Sequence, residues 1–106
     1  MKQKTDLIIA LDVATKEKAQ SLVKQLLSVV KIFKVGSQLF TALGPAAIEL
    51  IPQSMAKVFL DLKFHDIPNT VASASRIAVQ LGVAMFTVHA QAGKEMMCAS
   101  LSAAGD

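Results

Sequence analysis

The feature that most constrains the fold is a regular alternation of short apolar runs with segments of helical periodicity. Four apolar runs predict β-strands, over Leu7–Asp12, Ile32–Gly36, Lys57–Lys63 and Ala84–His89. Their last residues are 24, 27 and 26 positions apart, which is a spacing typical of one strand–helix unit. Repeated units of this kind place their strands in a parallel sheet covered by helices. The sequence therefore predicts an α/β fold with four βα units.

Helix signals fill the intervals between these runs. Thr15 is the expected N-cap of the first helix, and the second is expected in two pieces around Gly44-Pro45. Asn69 or Thr70 is expected to cap the third helix. The fourth is predicted over residues 94–104.

Polar residues collect at the carboxyl ends of the predicted strands, and they are Asp12, Lys34, Asp61, Lys63 and His89. That end of the strands carries the active site in a (β/α)8 barrel. A complete barrel needs eight units and ~250 residues, so four units in 106 residues predict a half-barrel. Such a chain is expected to be a fragment or to associate, because its edge strands and apolar faces lack partners. An open doubly wound sheet is the alternative, but no glycine-rich motif follows the first strand.

Composition argues against several classes of protein. The net charge of +3 comes from 11 basic and 8 acidic residues, without a basic run interleaved with aromatics, so we expect no nucleic-acid partner. The apolar run Leu7–Leu11 is too short for a signal peptide or a membrane span. The single cysteine, Cys98, cannot form an internal disulfide, which fits a reducing cytoplasm.

The run Phe59–Thr70 carries most of the chemical information. Asp61 and Lys63 are two residues apart, so they point to the same side of an extended chain. Burying them is costly unless each has a partner of opposite charge, and Asp66 can supply one more carboxylate. A lysine among carboxylates stays protonated. A carboxylate beside a negatively charged substrate and a protonated lysine together suit a reaction that forms and then protonates a carbanion.

Several motifs together resemble the N-terminal half of orotidine 5′-phosphate decarboxylase, the family that converts orotidine monophosphate to uridine monophosphate. They are Ile9–Asp12, Phe33–Gly36, Phe59–Thr70 and Thr87–Ala90, and the resemblance covers nearly all of the chain. The D-x-K-x-x-D core alone is shared with sugar-phosphate decarboxylases and synthases. The continuation Asp66–Thr70 is narrower and points to the orotidine enzyme. The resemblance implies that residues 1–106 are the N-terminal half of a single barrel domain.

The resemblance also implies the catalytic residues. Lys34, Asp61, Lys63 and Asp66 would form an alternating charge network, with Lys63 as proton donor to the carbon that loses carbon dioxide. Asp61 would lie against the substrate carboxylate. The family uses no metal or organic cofactor. It acts in pyrimidine biosynthesis, on a small-molecule substrate in the cytoplasm.

The substrate-binding residues are implied in the same way, and the four charged residues are among them. Asp12 and Lys34 would hold ribose hydroxyls. Asp66 would reach the active site of the partner subunit together with Ile67 and Thr70, so that a homodimer shares its active sites.

Two other functions stay open. The family's phosphate-binding arginine and glycine-rich loop belong to its second half, and Arg76, the only arginine here, lies mid-helix. The 106 residues alone are therefore expected to turn over little substrate, and a non-catalytic half-barrel is one alternative. The other is a magnesium-dependent sugar-phosphate decarboxylase or synthase that uses the same carboxylates.

Overall fold

One parallel β-sheet organises the computed structural model, which describes residues 5–105. Its strands are β1 (Ile8–Ala10), β2 (Ile32–Gly36), β3 (Lys57–Phe64) and β4 (Met85–Val88). They lie side by side in chain order, and each neighbouring pair is parallel. The predicted α/β fold with four βα units is thereby confirmed in the described part of the chain. β1 and β4 are the two edges of the sheet.

Helices follow every strand. They are α1 (Lys16–Leu26), α2 (Ser37–Leu43), α3 (Ala46–Glu49), α4 (Pro68–Gln80) and α5 (Lys94–Ala104), with a short 3₁₀ turn at Ala90–Ala92. The Thr15 hydroxyl accepts a hydrogen bond from the Lys18 N–H, as expected of an N-cap. The break between α2 and α3 falls at Gly44-Pro45, as predicted. None of these helices is long and apolar enough to cross a membrane.

The predicted cap of the third helix was wrong. α4 begins at Pro68, and the capping position is Ile67, whose side chain makes no capping hydrogen bond. The physical reason is that proline has no N–H and a φ already suited to the first helical turn, so it starts a helix without a polar cap. Asn69 and Thr70 therefore lie inside the first turn.

The core lies between the sheet and the helices. Phe33, Val35 and Val58 of the strands are fully buried, together with Leu39 of α2 and Ile48 of α3. Leu60, Leu62 and Phe64 face α4, where they line a cavity of about 190 Å³ with helix residues. Because strand side chains alternate between faces, Phe59 and Asp61 belong to the opposite face of the sheet.

Candidate active site

The centre of the candidate site is the carboxylate of Asp61, near the carboxyl end of β3. Asp61 is only 9% exposed. Its Oδ2 lies 3.1 Å from Lys63 Nζ and 3.4 Å from Lys34 Nζ. These are the two ion pairs found within residues 5–105. Parallel pairing of β2 with β3 sets Gly36 opposite Asp61. Lys34 is two residues before Gly36 and points to the same face of the sheet, so its ammonium reaches the carboxylate from the neighbouring strand.

The other oxygen of Asp61 is held by β4. The Thr87 hydroxyl donates to Asp61 Oδ1 at 2.7 Å. The same hydroxyl oxygen accepts the backbone N–H of Lys63 at 3.0 Å. The carboxylate therefore has partners on both oxygens, and these come from three adjacent strands.

These contacts keep Asp61 ionised. The hydrogen bond from Thr87 lowers its pKa most, followed by the hydrogen bond from Lys63, and the charge of Lys63 and the contact with Lys34 act in the same direction. Burial opposes them, because it raises the pKa of a carboxyl group. The pKa of Asp61 lies below its ordinary value on balance, so the site holds a fixed negative charge flanked by two ammonium groups.

Lys63 lies at an irregularity in the sheet. Leu60 pairs with Phe86 and Phe64 with Val88, so three residues of β3 lie opposite the single residue Thr87. Lys63 also has a φ of 51°, the one positive φ outside glycine in residues 5–105. Bulges of this kind re-aim a side chain. The Lys63 side chain is 63% exposed, which leaves its ammonium accessible to a substrate.

Asp12 lies at the same end of the sheet. It follows β1 and is exposed, and its Oδ1 is 3.6 Å from the position that a Cβ on Gly36 would occupy. Lys34, two residues before Gly36, is 29% exposed through its side chain. The first three strands thus bring two carboxylates and two lysines to the end of the sheet where the strands have their carboxyl ends.

Asp66 lies apart from this cluster. It is exposed in the segment between β3 and α4, and its Oδ1 accepts the Ile67 N–H at 2.7 Å. It takes part in neither of the two ion pairs of residues 5–105. Ile67 is 65% exposed, and Thr70 is exposed as well. A single chain therefore assembles Lys34, Asp61 and Lys63, while Asp66, Ile67 and Thr70 form a separate exposed group.

Two residues at this end were not among the predicted site residues. Thr87 contacts both Asp61 and Lys63. In the sequence it is a polar residue near the end of a predicted strand and the first residue of the motif Thr87–Ala90, but no role was predicted for it. His89, one of the polar residues at the carboxyl ends of the predicted strands, stacks on His65 with ring centroids 4.8 Å apart and planes 20° apart. Within the part of the chain that the structure describes, no three metal-ligating side chains cluster.

The family is established by comparison with known proteins. A family model described as "Orotidine 5'-phosphate decarboxylase / HUMPS family" matches residues 5–106. The orotidine 5′-phosphate decarboxylase of Syntrophomonas wolfei is 54% identical over 97 residues, which are 92% of this chain and 41% of that protein. The enzyme of the same name from Moorella thermoacetica is 48% identical over 103 residues, or 97% and 41%. The chain thus spans about two fifths of the length of these relatives.

Solved structures show the same fold. An uncharacterized conserved protein from Geobacillus kaustophilus superposes with a TM-score of 0.85 at 36% identity, over 93% of this chain and 47% of that one. The orotidine 5′-phosphate decarboxylase of Pyrococcus horikoshii OT3 superposes with a TM-score of 0.81 at 28% identity, over 90% and 46%. The four βα units thus form half of a (β/α)8 barrel, and the chain belongs to the orotidine 5′-phosphate decarboxylase / HUMPS family.

Proposed function

We propose that the protein is an orotidine 5′-phosphate decarboxylase, which converts orotidine monophosphate to uridine monophosphate and carbon dioxide in pyrimidine biosynthesis. The observation that carries the proposal is the Asp61 carboxylate with the Lys34 and Lys63 ammonium groups on one of its oxygens. The names of the relatives support the substrate. Residues 1–106 would be the N-terminal half of one barrel domain, and the cytoplasmic localisation stays a prediction.

The arrangement suits decarboxylation at a vinylic carbon. When the bond to the carboxylate breaks, its electron pair stays on the ring carbon as an unstabilised carbanion. Catalysis requires groups that favour this charge more than they favour the bound substrate. Asp61, kept ionised by its partners, would repel the substrate carboxylate. Lys63 would attract the developing negative charge.

Lys63 would also complete the reaction. A proton passes from its ammonium to the ring carbon, so that an N–H bond breaks as the C–H bond forms. The neutral amine then takes a proton from solvent. The exposed Lys63 side chain allows this contact, since its ion pair with Asp61 orients the ammonium without enclosing it. In the proposal, Lys34 has a second role and binds ribose hydroxyls together with Asp12.

The separate group formed by Asp66, Ile67 and Thr70 fits a role across a subunit interface. Ile67 is 65% exposed, so its side chain is free to contact another subunit. In the proposal these residues enter the active site of a second subunit, so that a homodimer shares its sites.

Mixing inactive Lys63→Ala and Asp66→Asn subunits tests whether the active sites are shared. A heterodimer would have one site with both Lys63 and Asp66 intact, so the mixture would regain activity.

The decisive experiment removes the proposed proton donor. In the intact protein that contains these residues, Lys63→Ala should lower turnover of orotidine monophosphate by at least about 10³-fold. Binding of uridine monophosphate, measured by calorimetry, should change far less, because the product needs no proton. Lys57→Ala is the matched control, since Lys57 is an exposed lysine at the opposite end of the same strand. Turnover of Lys63→Ala within tenfold of wild type would refute the role of Lys63.

A chelator separates this proposal from the metal-dependent alternative. The family description covers more than the decarboxylase, and a magnesium-dependent sugar-phosphate enzyme would use Asp61 as a metal ligand. Decarboxylation of orotidine monophosphate should persist after dialysis against a strong chelator. Activity that disappears and returns with added magnesium would favour the alternative.

A further inference from the structure

One hydroxyl group joins the two most important residues of the candidate site. Thr87 Oγ1 has a single proton, and an ionised carboxylate can only accept, so this proton lies on the 2.7 Å contact with Asp61 Oδ1. The backbone N–H of Lys63 can only donate, so it uses a lone pair of the same oxygen at 3.0 Å. Both hydrogen bonds therefore form at once without competing for the proton.

The bond to Lys63 replaces a missing contact of the sheet. Three residues of β3 lie opposite Thr87 alone, so the regular ladder cannot pair every backbone group there. A φ of 51° at a residue with a side chain is a strained conformation that persists only where its surroundings fix it. The Thr87 hydroxyl supplies a partner for the Lys63 N–H at that point.

The bond to Asp61 decides which carboxylate oxygen faces the lysines. Because Thr87 holds Oδ1, the free oxygen is Oδ2, and both ammonium groups lie on it, at 3.1 and 3.4 Å. Threonine suits this task, since its branched Cβ restricts rotation about χ1 more than serine does. The hydroxyl thus fixes the orientation of the Asp61 carboxylate. It also fixes the backbone conformation at Lys63, and with it the direction of the Lys63 side chain.

We propose that Thr87 is a positioning residue of this site, which acts on the reaction through Asp61 and Lys63 rather than by touching the substrate. The proposal rests on the proposed function for its effect on turnover. It predicts in addition a property of the protein without substrate, namely the hydrogen bonds that fix Asp61 and Lys63. The two proposals can therefore fail separately.

The test compares two substitutions in the intact protein. Thr87→Val keeps the shape of the side chain and removes the hydroxyl, whereas Thr87→Ser keeps the hydroxyl. We expect Thr87→Val to lower kcat by about tenfold or more, with a much smaller change in KM, and Thr87→Ser to stay within about threefold of wild type. Thr41→Val, at an exposed threonine of α2, is the control for adding valine.

A spectroscopic readout separates positioning from a general loss of structure. The carbon-13 resonance of the Asp61 carboxyl group reports its titration directly. Thr87→Val should raise the pKa of Asp61, because the hydrogen bond from Thr87 is the largest cause of its lowering, and Thr87→Ser should leave it nearly unchanged. An Asp61 titration and a kcat in Thr87→Val that both match wild type would overturn the proposal.

If Thr87→Val does not fold, amide hydrogen exchange of the wild-type protein still tests the proposal. In the wild-type protein, the Lys63 N–H should exchange slowly, since it is bonded to Thr87 Oγ1. Exchange as fast as in an unprotected peptide would overturn the proposal without any variant. If the wild type does not decarboxylate orotidine monophosphate, the proposed function fails, while the titration and the exchange still decide whether Thr87 positions the two residues.

Discussion

At the scale of single residues, Asp61 links stability to pH. Its pKa is lowered in the folded chain, so its contribution to stability is present above the unfolded pKa of about 3.9 and is lost as the pH falls through the folded value. We expect Asp61→Asn to lower the free energy of unfolding at pH 7 by about 1–3 kcal/mol. The difference from wild type should shrink steadily below pH of about 4.

Urea unfolding at a series of pH values measures this dependence. Glu49→Gln is the control, because Glu49 is an exposed carboxylate at the end of α3. A difference between wild type and Asp61→Asn that stays constant from neutral to acid pH would show that the ion pairs of Asp61 add no stability.

The sequence located the charged residues better than it described their contacts. Lys34, Asp61 and Lys63 were expected at one end of the sheet, because the carboxyl ends of parallel strands lie at the same end of a sheet. The structure brings the three side chains together. The residues alone suggested a lysine among carboxylates, and the resemblance implied an alternating network that includes Asp66. In residues 5–105 the Asp61 carboxylate pairs with Lys34 and Lys63, and Asp66 takes part in neither ion pair. The contacts of Thr87 depend on the irregular pairing of β3 with β4, and nothing local in the sequence encodes that register.

At the scale of elements, a pair of buried hydroxyl groups joins α4 to α5. Ser75 Oγ donates to the Val71 carbonyl at 2.7 Å, and Ser100 Oγ lies 2.8 Å from Ser75 Oγ. Since the proton of Ser75 is used on Val71, Ser100 must be the donor between the two serines. Ser75 is therefore both a donor and an acceptor, and Ser100 depends on it.

This asymmetry predicts different costs for the two alanine substitutions. Ser75→Ala should destabilise by about 1–3 kcal/mol, because it leaves the buried Ser100 hydroxyl without its acceptor. Ser100→Ala should cost less, since Ser75 keeps its bond to Val71. The double variant should recover part of the loss, as measured by urea unfolding with Ser102→Ala on the exposed face of α5 as control. Equal costs for the two single variants would contradict this assignment of the proton.

The elements themselves followed from local signals. The predicted strands overlap all four observed ones, because apolar runs bounded by polar or helical segments predict buried parallel strands. The break at Gly44-Pro45 also followed from the residues present. The start of α4 was missed, since Pro68 supplied a helix start that a search for polar caps overlooks. The 3₁₀ turn at Ala90–Ala92 was not predicted either.

At the scale of the whole molecule, the sheet has two edges and an apolar groove beside one of them. β4 and α5 line a groove of about 580 Å³, with Met85 38%, Met97 37% and Leu101 73% exposed. At the other edge, Leu7 is 58% and Ile8 41% exposed. Unpaired strands with exposed apolar side chains are templates for pairing with another chain.

When residues 1–106 are produced by themselves, we therefore expect self-association that grows over the micromolar to millimolar range. Sedimentation velocity at several concentrations measures it. Met85→Lys should weaken the association, because a lysine on an edge strand opposes further pairing. Val29→Lys is the matched control, since Val29 is 70% exposed in the segment between α1 and β2 and outside the groove. A monomer at every concentration, with cooperative unfolding, would mean that the four βα units are stable without covering either edge, and that the apolar groove contributes nothing to assembly.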